Sequence, residues 1–495
     1  MPASGVSRSG RILLFAAVAA VVVITVVRTA IWWKSDAGIS FASGVMITMA
    51  ADLTKGTFYR PLFGPIGYGG TRYFPLYFCL QALLLKLGVP VLASAYLISA
   101  AAVALLVWAT FQLLRELGVE SWLAACASLM LLAASSVQMA LTTPQADGLA
   151  AALNMCGLAV ITRTPRNRRR IFIAAVLFTL AWSAKLTAVF GVAAVLLWLL
   201  SEGATRVACL LALETASGYA TIAVAMVAGS HGRVVDIFRA CASGGTDWRF
   251  IANAPVRMER MAVFTDPVLL LFEVLAIVAL FASKMWRSLP GLLLITSVLI
   301  TTFIFGSPGT AQNHLLDLQV AAVMVLATWV ARAAPKRKQA GVYALMLLTL
   351  VGAVELWRHV TTWSRWYHPH QFQQVIAAIE PRDKPILAEN PIVPVLAGQQ
   401  SYVLDPWMVQ MLRKRVPGFE KPLLEQLRRQ EFGAVVLSTG AIAETGAKQW
   451  FDENAFGPGF VEGLGEHYRF AEVIDRDRIY LPKRDSPPAA KNTDH

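Results

Sequence analysis

Long apolar runs, separated by short polar and basic segments, dominate the first 360 residues of the chain. A helix that crosses a bilayer needs about 20 mostly apolar residues, and many runs approach or reach that length. The predicted spans are 12–33, 92–114, 120–140, 147–162, 171–187, 188–202, 206–229, 264–283, 288–306, 313–332 and 340–358. The pattern therefore predicts a polytopic α-helical membrane protein, with about eleven transmembrane helices in a membrane domain over residues 1–360.

One further apolar stretch, 73–88, is interpreted from the distribution of charge. Basic residues concentrate in cytoplasmic loops. If 73–88 does not cross, the basic N-terminus and the basic segments 163–170 and 332–338 all face the cytoplasm. If it does cross, every later basic loop faces outward. We therefore predict that 73–88 is a helix along the outer face, and that 34–72, 142–148, 230–262, 307–317 and the C-terminal segment lie outside.

The pattern changes after residue 360. Strand-like segments at 384–389, 401–405, 432–438, 468–474 and 478–482 alternate with amphipathic helical segments such as 422–431. This alternation predicts a small periplasmic α/β domain over 361–483. The final residues, 484–495, are polar and contain proline, which predicts a disordered tail.

Composition supports a membrane protein, because 56% of residues are hydrophobic and only 15% are charged, against about a quarter in soluble domains. The net charge of +13 is explained by basic cytoplasmic loops, so no nucleic-acid partner is predicted. The five cysteines lie singly along the chain and indicate neither a metal site nor a disulfide framework.

Three charged residues at predicted outer turns are candidates for chemistry. Asp36 ends the first span, where a carboxylate either acts as a general base within hydrogen-bond distance of a hydroxyl group or solvates the helix end. Asp147 opens the fourth span, a position that favours capping and dipole interaction over catalysis. Lys185 lies between the fifth and sixth spans, where it either binds phosphate or extends to the interface.

The first outer loop contains "KGTFYRPLFGPIGYGGTRYFPLYF", which is dense in glycine, aromatic residues and arginine. Aromatic faces stack on sugar rings, and arginine binds phosphate with two parallel hydrogen bonds. Tyr59, Arg60, Arg72 and Tyr73 are therefore candidate substrate-binding residues. The alternative is a plain interfacial aromatic belt, although the glycines at 67, 69 and 70 exceed what a belt requires.

Two later outer segments add further candidates. Asn313 and His314 lie in "AQNHLLD", and the histidine either binds phosphate or caps the following helix. Arg249 belongs to the basic loop 230–262, whose surface suits an anionic lipid headgroup. All of these candidate residues fall on the predicted outer side.

The order of these motifs resembles the GT-C membrane glycosyltransferases, in particular bacterial members of the protein-mannosyltransferase and lipid A aminoarabinose-transferase type. An aspartate ends the first span, and "GTFY", "YFPLYF", "TPQADG" and "SAKLTAV" follow in that order. The resemblance covers roughly residues 10–330. Two departures are evident: Ala37 follows Asp36 where many members have a second acid, and the surface helix opens with Phe74-Pro75-Leu76 in place of a His-Pro-Pro or Lys-Pro motif.

The resemblance implies an inverting glycosyltransferase in a bacterial inner membrane, with a cytoplasmic N-terminus. Its donor would be a sugar on a polyprenyl phosphate, and its acceptor an envelope glycan, lipid or protein. Asp36 would then be the catalytic base, Asp147 an assisting acid, and Lys185 a residue that faces the donor phosphate. No cofactor is implied, and a divalent metal shared by acids and phosphate stays open.

Two other classes of function compete with glycosyl transfer. The first is a transporter or flippase of lipid-linked sugars, which should place its charged groups near the bilayer midplane on broken, repeated helices. The chain has no evident internal repeat, and its candidate charges collect on one predicted face. The second is a non-catalytic subunit of an envelope assembly, with the C-terminal domain as its docking module.

Overall fold

The computed structural model describes residues 6–241, 247–265, 267–307, 309–363, 369–379, 383–438, 446 and 448–483. The predicted disordered tail, 484–495, lies outside the described residues. The helices are α1 Arg8–Ser35, α2 Phe41–Thr54, α3 Pro75–Lys86, α4 Val91–Glu116, α5 Ser121–Met130, α6 Ser135–Thr142, α7 Ala146–Arg163, α8 Arg168–Ala184, α9 Phe190–Ser201, α10 Thr205–Gly229, α11 Arg233–Cys241, α12 Trp248–Ala252, α13 Ala254–Thr265, α14 Pro267–Ala282, α15 Leu289–Ile304, α16 Leu316–Arg332, α17 Pro335–Trp363, α18 Gln371–Ala377, α19 Ile392–Leu396, α20 Pro406–Arg413, α21 Lys421–Arg428 and α22 Phe460–His467. The strands are β1 Phe63–Gly64, β2 Gly67–Tyr68, β3 Ile386–Ala388, β4 Ala434–Ser438, β5 Tyr468–Ile474 and β6 Asp477–Pro482.

The chain divides into two compact units. The helical unit comprises Met1–Ile39, Tyr73–Gly232 and Gly244–Tyr367, and the mixed unit comprises Ser40–Arg72, Arg233–Ser243 and His368–His495. The sequence predicted a division at residue 360 along the chain. The mixed unit draws in two earlier segments, 40–72 and 233–243, which the sequence assigned to outer loops of the membrane domain.

Each predicted span coincides with helix, which confirms a polytopic helical membrane protein. By length and composition, five helices among the described residues can cross a membrane: Arg8–Ser35, Val91–Glu116, Thr205–Gly229, Gln312–Arg332 and Pro335–Thr362. The predicted span 120–140 is a pair, α5 and α6, bent by 72°. The remaining predicted spans are short helices, so the number of about eleven spans stays a prediction. The helix α3 has 12 residues, as has α9 of the predicted span 188–202, so its length does not decide whether it crosses, and its place along the outer face stays a prediction.

Small residues allow the helices of the helical unit to pack closely around α7. Most of α7 is buried, including the run Leu149–Leu158 of mainly Ala, Gly and Leu side chains. Small residues let neighbouring helix backbones approach, and Gly157 leaves room for the Phe178 ring of α8. Asn154 Nδ2 donates to the Ala188 carbonyl oxygen at 3.2 Å. The packing thereby fixes the turn between α8 and α9 against α7.

The mixed unit contains a four-stranded sheet of order β3-β4-β6-β5. The β3 and β4 strands are parallel, and the other two pairs are antiparallel. Helices α21 and α22 supply Leu423, Leu427 and Phe460 to its core. The sequence predicted this small α/β layer and four of its strands. The predicted strand at 401–405 is wrong, because this segment forms a single bridge from Val403 to Tyr68.

The segment 40–72 belongs to the mixed unit for physical reasons that are not local in sequence. Helix α2 donates from Thr48 Oγ1 to the Pro391 carbonyl oxygen at 3.1 Å. Tyr68 is fully buried, and its backbone N–H donates to the Tyr402 carbonyl oxygen at 2.8 Å. A side chain at Gly67, where φ is +110°, would clash with that same carbonyl group. The glycine at this position is therefore explained by packing within the unit.

Candidate active site

Lys185 and Asp147 form an ion pair in the helical unit. Asp147 lies in the first turn of α7, and Lys185 ends α8, where its extended backbone (φ −148°) turns the chain toward α9. Lys185 Nζ lies 2.5 Å from Asp147 Oδ1, and the two side chains are 17% and 8% exposed. The sequence favoured a capping role for Asp147, but its carboxylate instead binds a lysine from another element.

A short helical turn, Gln312–Leu315, brings two further predicted residues to this pair. Asn313 Nδ2 donates to Asp147 Oδ1 at 2.9 Å, and Lys185 Nζ lies 3.1 Å from His314 Nδ1. Gln312 Nε2 donates to Ser135 Oγ at the start of α6, which fixes the turn in place. Asp147, Lys185, Asn313 and His314, predicted one by one, therefore form one cluster built from three separate segments.

The cluster holds a lysine ammonium group in a partly buried polar environment. When Nδ1 of His314 accepts from the ammonium group, Nε2 of the ring carries the proton and is a donor. Asp317, in the first turn of α16, is close enough to interact electrostatically with Lys185 and Asp147. Such a cluster provides charged and neutral hydrogen-bond donors, which is the chemistry that a phosphate group requires.

Asp36 is the C-cap residue of α1 and has a left-handed backbone conformation (φ 58°, ψ 10°). The residue is only 5% exposed. Its carboxylate interacts with the Tyr96 hydroxyl group of α4. The ring of Tyr96 stacks on Trp33 with 5.0 Å between centroids. Asp36 is thus an ordered, buried carboxylate and not a freely solvated helix end.

The end of α1 that carries Asp36 is fastened to α6, next to the turn that leads to Asp147. Arg28 Nη1 donates to Gln138 Oε1 at 3.0 Å, and Trp33 Nε1 donates to the Leu141 carbonyl oxygen at 3.3 Å. A side chain at Gly38 would collide with the carbonyl oxygen of Thr142. The turn after α1 and the turn after α6 are therefore in direct contact.

Three predicted substrate-binding residues belong to the mixed unit, and two of them are buried there. Arg60 is 2% exposed; its Nε and Nη2 donate to the two carboxylate oxygens of Asp52 at 2.5 and 2.7 Å, and its Nη1 donates to the Ser401 carbonyl oxygen at 2.5 Å. Tyr59 is 3% exposed and packs edge-on against Phe58. This is a structural arrangement, so Arg60 does not offer the unpaired charge that the sequence suggested.

Arg72 is exposed and interacts electrostatically with Asp405. Burial raises the pKa of the Asp405 carboxyl group to about 6, and the positive charge of Arg72 opposes part of that rise. Asp405 also caps α20, since its Oδ1 accepts from the Met408 N–H at 3.2 Å. The arginine thus has a charged neighbour within the mixed unit.

The last two predicted residues, Tyr73 and Arg249, lie in the helical unit. Tyr73 is half-buried and precedes α3. Arg249 is exposed in α12, and its backbone N–H donates to the capping carboxylate of Asp247 at 2.8 Å.

The described residues contain no group of three or more His, Cys, Asp or Glu side chains placed to hold a metal ion. The involvement of a divalent metal stays an open prediction.

Sequence reasoning missed three residues that shape these sites. Arg28 lies inside an apolar span, and charge at that depth points to a specific partner, so it could have been found. Asp52 could have been found as an acid in an apolar segment eight residues before Arg60. No local pattern distinguishes Tyr96 as the partner of Asp36.

No protein-family model and no curated protein matches the chain. Solved structures of similar fold do exist. ArnT from Cupriavidus metallidurans bound to undecaprenyl phosphate matches with a TM-score of 0.60 and 12% identity, over 94% of this chain and 98% of that one. The oligosaccharyltransferase AglB from Archaeoglobus fulgidus, in complex with an inhibitory peptide and a dolichol-phosphate, matches with a TM-score of 0.54 and 11% identity, over 97% and 75%.

The arabinofuranosyltransferase AftD from Mycobacteria gives a TM-score of 0.50 and 14% identity, over 93% of this chain and 41% of that one. All three proteins are GT-C glycosyltransferases. At these identities the likeness concerns the fold, and it extends over nearly the whole of this chain. The chain is therefore a multi-pass membrane protein with the GT-C fold, as its sequence motifs predicted.

Proposed function

We propose that the chain is an inverting glycosyltransferase, which moves a sugar from a polyprenyl-phosphate donor to a glycan, lipid or protein acceptor of the cell envelope. The reaction would take place at the outer face of the bacterial inner membrane. The observation that carries the proposal is the cluster in which Asp147 and His314 contact the ammonium group of Lys185 and Asn313 donates to Asp147. The fold of this chain is also that of ArnT bound to undecaprenyl phosphate and of AglB with a dolichol-phosphate.

In this mechanism Lys185 neutralises the leaving phosphate. A lysine ammonium has three N–H donors, and the described contacts use two of them, toward Asp147 and His314. The third donor and the His314 imidazole would bind phosphate oxygens. A charge stabilised in a partly dehydrated site lowers the barrier more than the same charge does in water.

Asp147 acts in this proposal as a positioning residue. Its Oδ1 accepts from both Lys185 and Asn313, so the carboxylate fixes the lysine and joins α7 to the turn at 312–315. The sequence resemblance suggested an assisting acid at this position. The positioning role rests on the observed ion pair instead.

Asp36 is the proposed general base. The acceptor hydroxyl oxygen attacks the anomeric carbon on the side opposite the phosphate, and its proton passes to the Asp36 carboxylate. The bond between the anomeric carbon and the phosphate oxygen breaks, and polyprenyl phosphate leaves with the bonding electrons. The anomeric configuration is therefore inverted. The ordered position of Asp36 at the end of a membrane helix supports this role, because a lipid-linked donor brings its reacting carbon to the interface.

The test is turnover by the purified chain with polyprenyl-phosphate sugars and envelope acceptors. We expect free polyprenyl phosphate to be released together with a product of inverted anomeric configuration. Both should be lost in the Asp36→Asn variant. The exposed carboxylate of Asp383 supplies a matched Asp383→Asn control, which should keep full activity. Movement of the lipid between leaflets without cleavage would identify a flippase instead, and absence of both would favour a non-catalytic subunit.

A further inference from the structure

The mixed unit contains an open pocket of about 450 Å³ that the proposed chemistry does not use. Helix α11 forms one wall and Arg415, after α20, forms a second wall. Residues 61–63, which lead into β1, form the floor. Arg233, Asp236 and Arg239 of α11 face this pocket together with Arg415. All four of these charged residues are exposed.

The amphipathic pattern of α11 explains why its charges line the pocket. Val234 and Ile237 are buried, and Ala240 packs against Met408 and Leu412 of α20. Arg233 and Arg239 lie six residues apart, which separates their Cα atoms by about 9 Å along the helix. Two guanidinium groups on 9 Å of helix can therefore reach the oxygens of one polyanion from two sides.

Arg415 completes the charged wall. Its Nη1 donates to the backbone carbonyl oxygen of Arg239 at 2.8 Å, which ties the segment after α20 to α11. Within the described ranges, no carboxylate lies within 4.0 Å of the three guanidinium groups. Arg60 in the same unit shows the opposite arrangement, because Asp52 neutralises it.

The charge balance of the pocket favours an anion. Three arginines and one aspartate give its wall a net charge of +2. Like charges held close together repel, and a bound anion removes that repulsion. Arginine binds phosphate with parallel N–H···O bonds that a point charge cannot make. A phosphate ester carries one or two negative charges and so matches the wall.

The floor of the pocket adds an apolar surface. Pro61 and Leu62 line it, and the Phe63 side chain is 45% exposed. The ring of Phe63 lies 4.8 Å from the ring of Tyr68, which is fully buried. An exposed aromatic ring with fixed support is suited to the apolar face of a sugar or to the glycerol end of a headgroup.

We propose that this pocket binds a phosphate ester of the acceptor, with its phosphate on Arg233, Arg239 and Arg415 and its apolar part on Phe63. The inference rests on the proposed function and narrows the acceptor to a phosphate-bearing molecule. Asp236 limits the affinity, because its carboxylate repels the bound phosphate. The same chemistry would come either from a phosphorylated glycan or from a phospholipid headgroup.

The experiment measures binding to the full chain in detergent by calorimetry, with inorganic phosphate, glucose 1-phosphate and unphosphorylated glucose as probes. Each of Arg233→Gln, Arg239→Gln and Arg415→Gln should weaken glucose 1-phosphate binding about two- to fivefold, the effect of losing one charged hydrogen bond at an exposed site. Asp236→Asn should tighten it about threefold. Arg469→Gln, an exposed arginine on β5, should have no effect.

A parallel arm distinguishes the two sources of phosphate. Nanodiscs of phosphatidylglycerol are compared with nanodiscs of phosphatidylcholine, using the same variants. Binding of glucose 1-phosphate that depends on the arginines supports a glycan acceptor. Arginine dependence seen only with phosphatidylglycerol supports the phosphate site and assigns it to a lipid headgroup. If the three arginine variants bind every probe like the parent chain, the pocket is not a phosphate site.

Two further measurements separate this inference from the proposed function. Binding in the pocket should persist in the Lys185→Met variant, since that residue belongs to the helical unit. Hydrolytic release of polyprenyl phosphate, with water as acceptor, should be unchanged by the arginine substitutions. If neither the parent chain nor any variant releases polyprenyl phosphate, the glycosyltransferase proposal is wrong. If release is unaltered but no probe binds in an arginine-dependent way, only the proposal of a phosphate site in the pocket is wrong.

Discussion

The ion pair between Lys185 and Asp147 allows its two roles, structural and chemical, to be measured separately. Removing one partner of a buried ion pair costs about 3–5 kcal/mol, because the other charge is left unpaired. The Lys185 side chain is 17% exposed, so water compensates part of that cost. We expect Asp147→Asn or Lys185→Met alone to lower the free energy of unfolding by about 2–3 kcal/mol.

The double variant Asp147→Asn/Lys185→Met removes both charges, and methionine fills much of the space of the lysine stem. Its free energy of unfolding should return to within about 1 kcal/mol of the parent chain. The double-mutant cycle therefore predicts a coupling of about 3 kcal/mol or more. In thermal unfolding at a fixed scan rate, 2–3 kcal/mol corresponds to a shift of roughly 2–3 °C for a chain of this size.

Turnover should not follow stability. Loss of one preorganised donor at a developing oxyanion typically costs about 10²–10³ in kcat, so Lys185→Met should lose about that much. The double variant should be equally slow although its stability has recovered. Lys86→Met, at the exposed end of α3, is the matched control. A stable double variant with near-normal polyprenyl-phosphate release would refute the role of Lys185 at the leaving phosphate.

Further outcomes follow from the other charged groups and from the topology. Asp36→Asn should lower kcat by about 10²–10⁴ with an unchanged melting midpoint; activity near that of Asp383→Asn would rule out the base. Reporters fused after residues 88 and 338 should read outside and cytoplasmic, respectively, and a cytoplasmic signal after residue 88 would overturn the predicted threading. Arg60→Met should lower the free energy of unfolding by about 3–5 kcal/mol, because it leaves Asp52 buried and unpaired; a neutral effect in chemical denaturation would contradict this. The pKa of Asp405 is raised to about 6 in the folded chain, so its contribution to stability is complete below pH 4 and is lost as the pH rises through 6. Asparagine can still cap α20. In unfolding measured against pH, Asp405→Asn should therefore be more stable than the parent chain at pH 7 but not at pH 4.

The helices of the helical unit could be predicted because hydropathy is a local property. Each apolar run near 20 residues long became a helix, whereas the bend between α5 and α6 and the helices α12 and α13 were not visible in the pattern. The composition of the mixed unit could not be predicted in the same way. Its contacts from Thr48 to Pro391 and from Tyr68 to Val403 join segments more than 300 residues apart, and no periodicity in either segment indicates the other.

The candidate site was predicted as single residues and not as a cluster. Asp147, Lys185, Asn313 and His314 were each chosen because a charged or polar group lay at a predicted outer turn. Their convergence depends on the packing of α7 against α8 and on the Gln312–Ser135 contact, which are tertiary features. The packing reason for Gly67 is tertiary as well, since this glycine makes room for the Tyr402 carbonyl oxygen.

Arg60 and Lys185, two cations that the sequence offered as phosphate ligands, have opposite surroundings in the structure. Arg60 is almost completely buried, and its three guanidinium nitrogens all donate to Asp52 or to the Ser401 carbonyl oxygen. Its charge is therefore neutralised within the mixed unit. Lys185 is partly exposed, and the described contacts leave one of its three N–H donors for another acceptor. A group that must stabilise charge appearing during a reaction needs such a remaining donor, already oriented by its other bonds. By that criterion Lys185, and not Arg60, is the cation expected at the leaving phosphate.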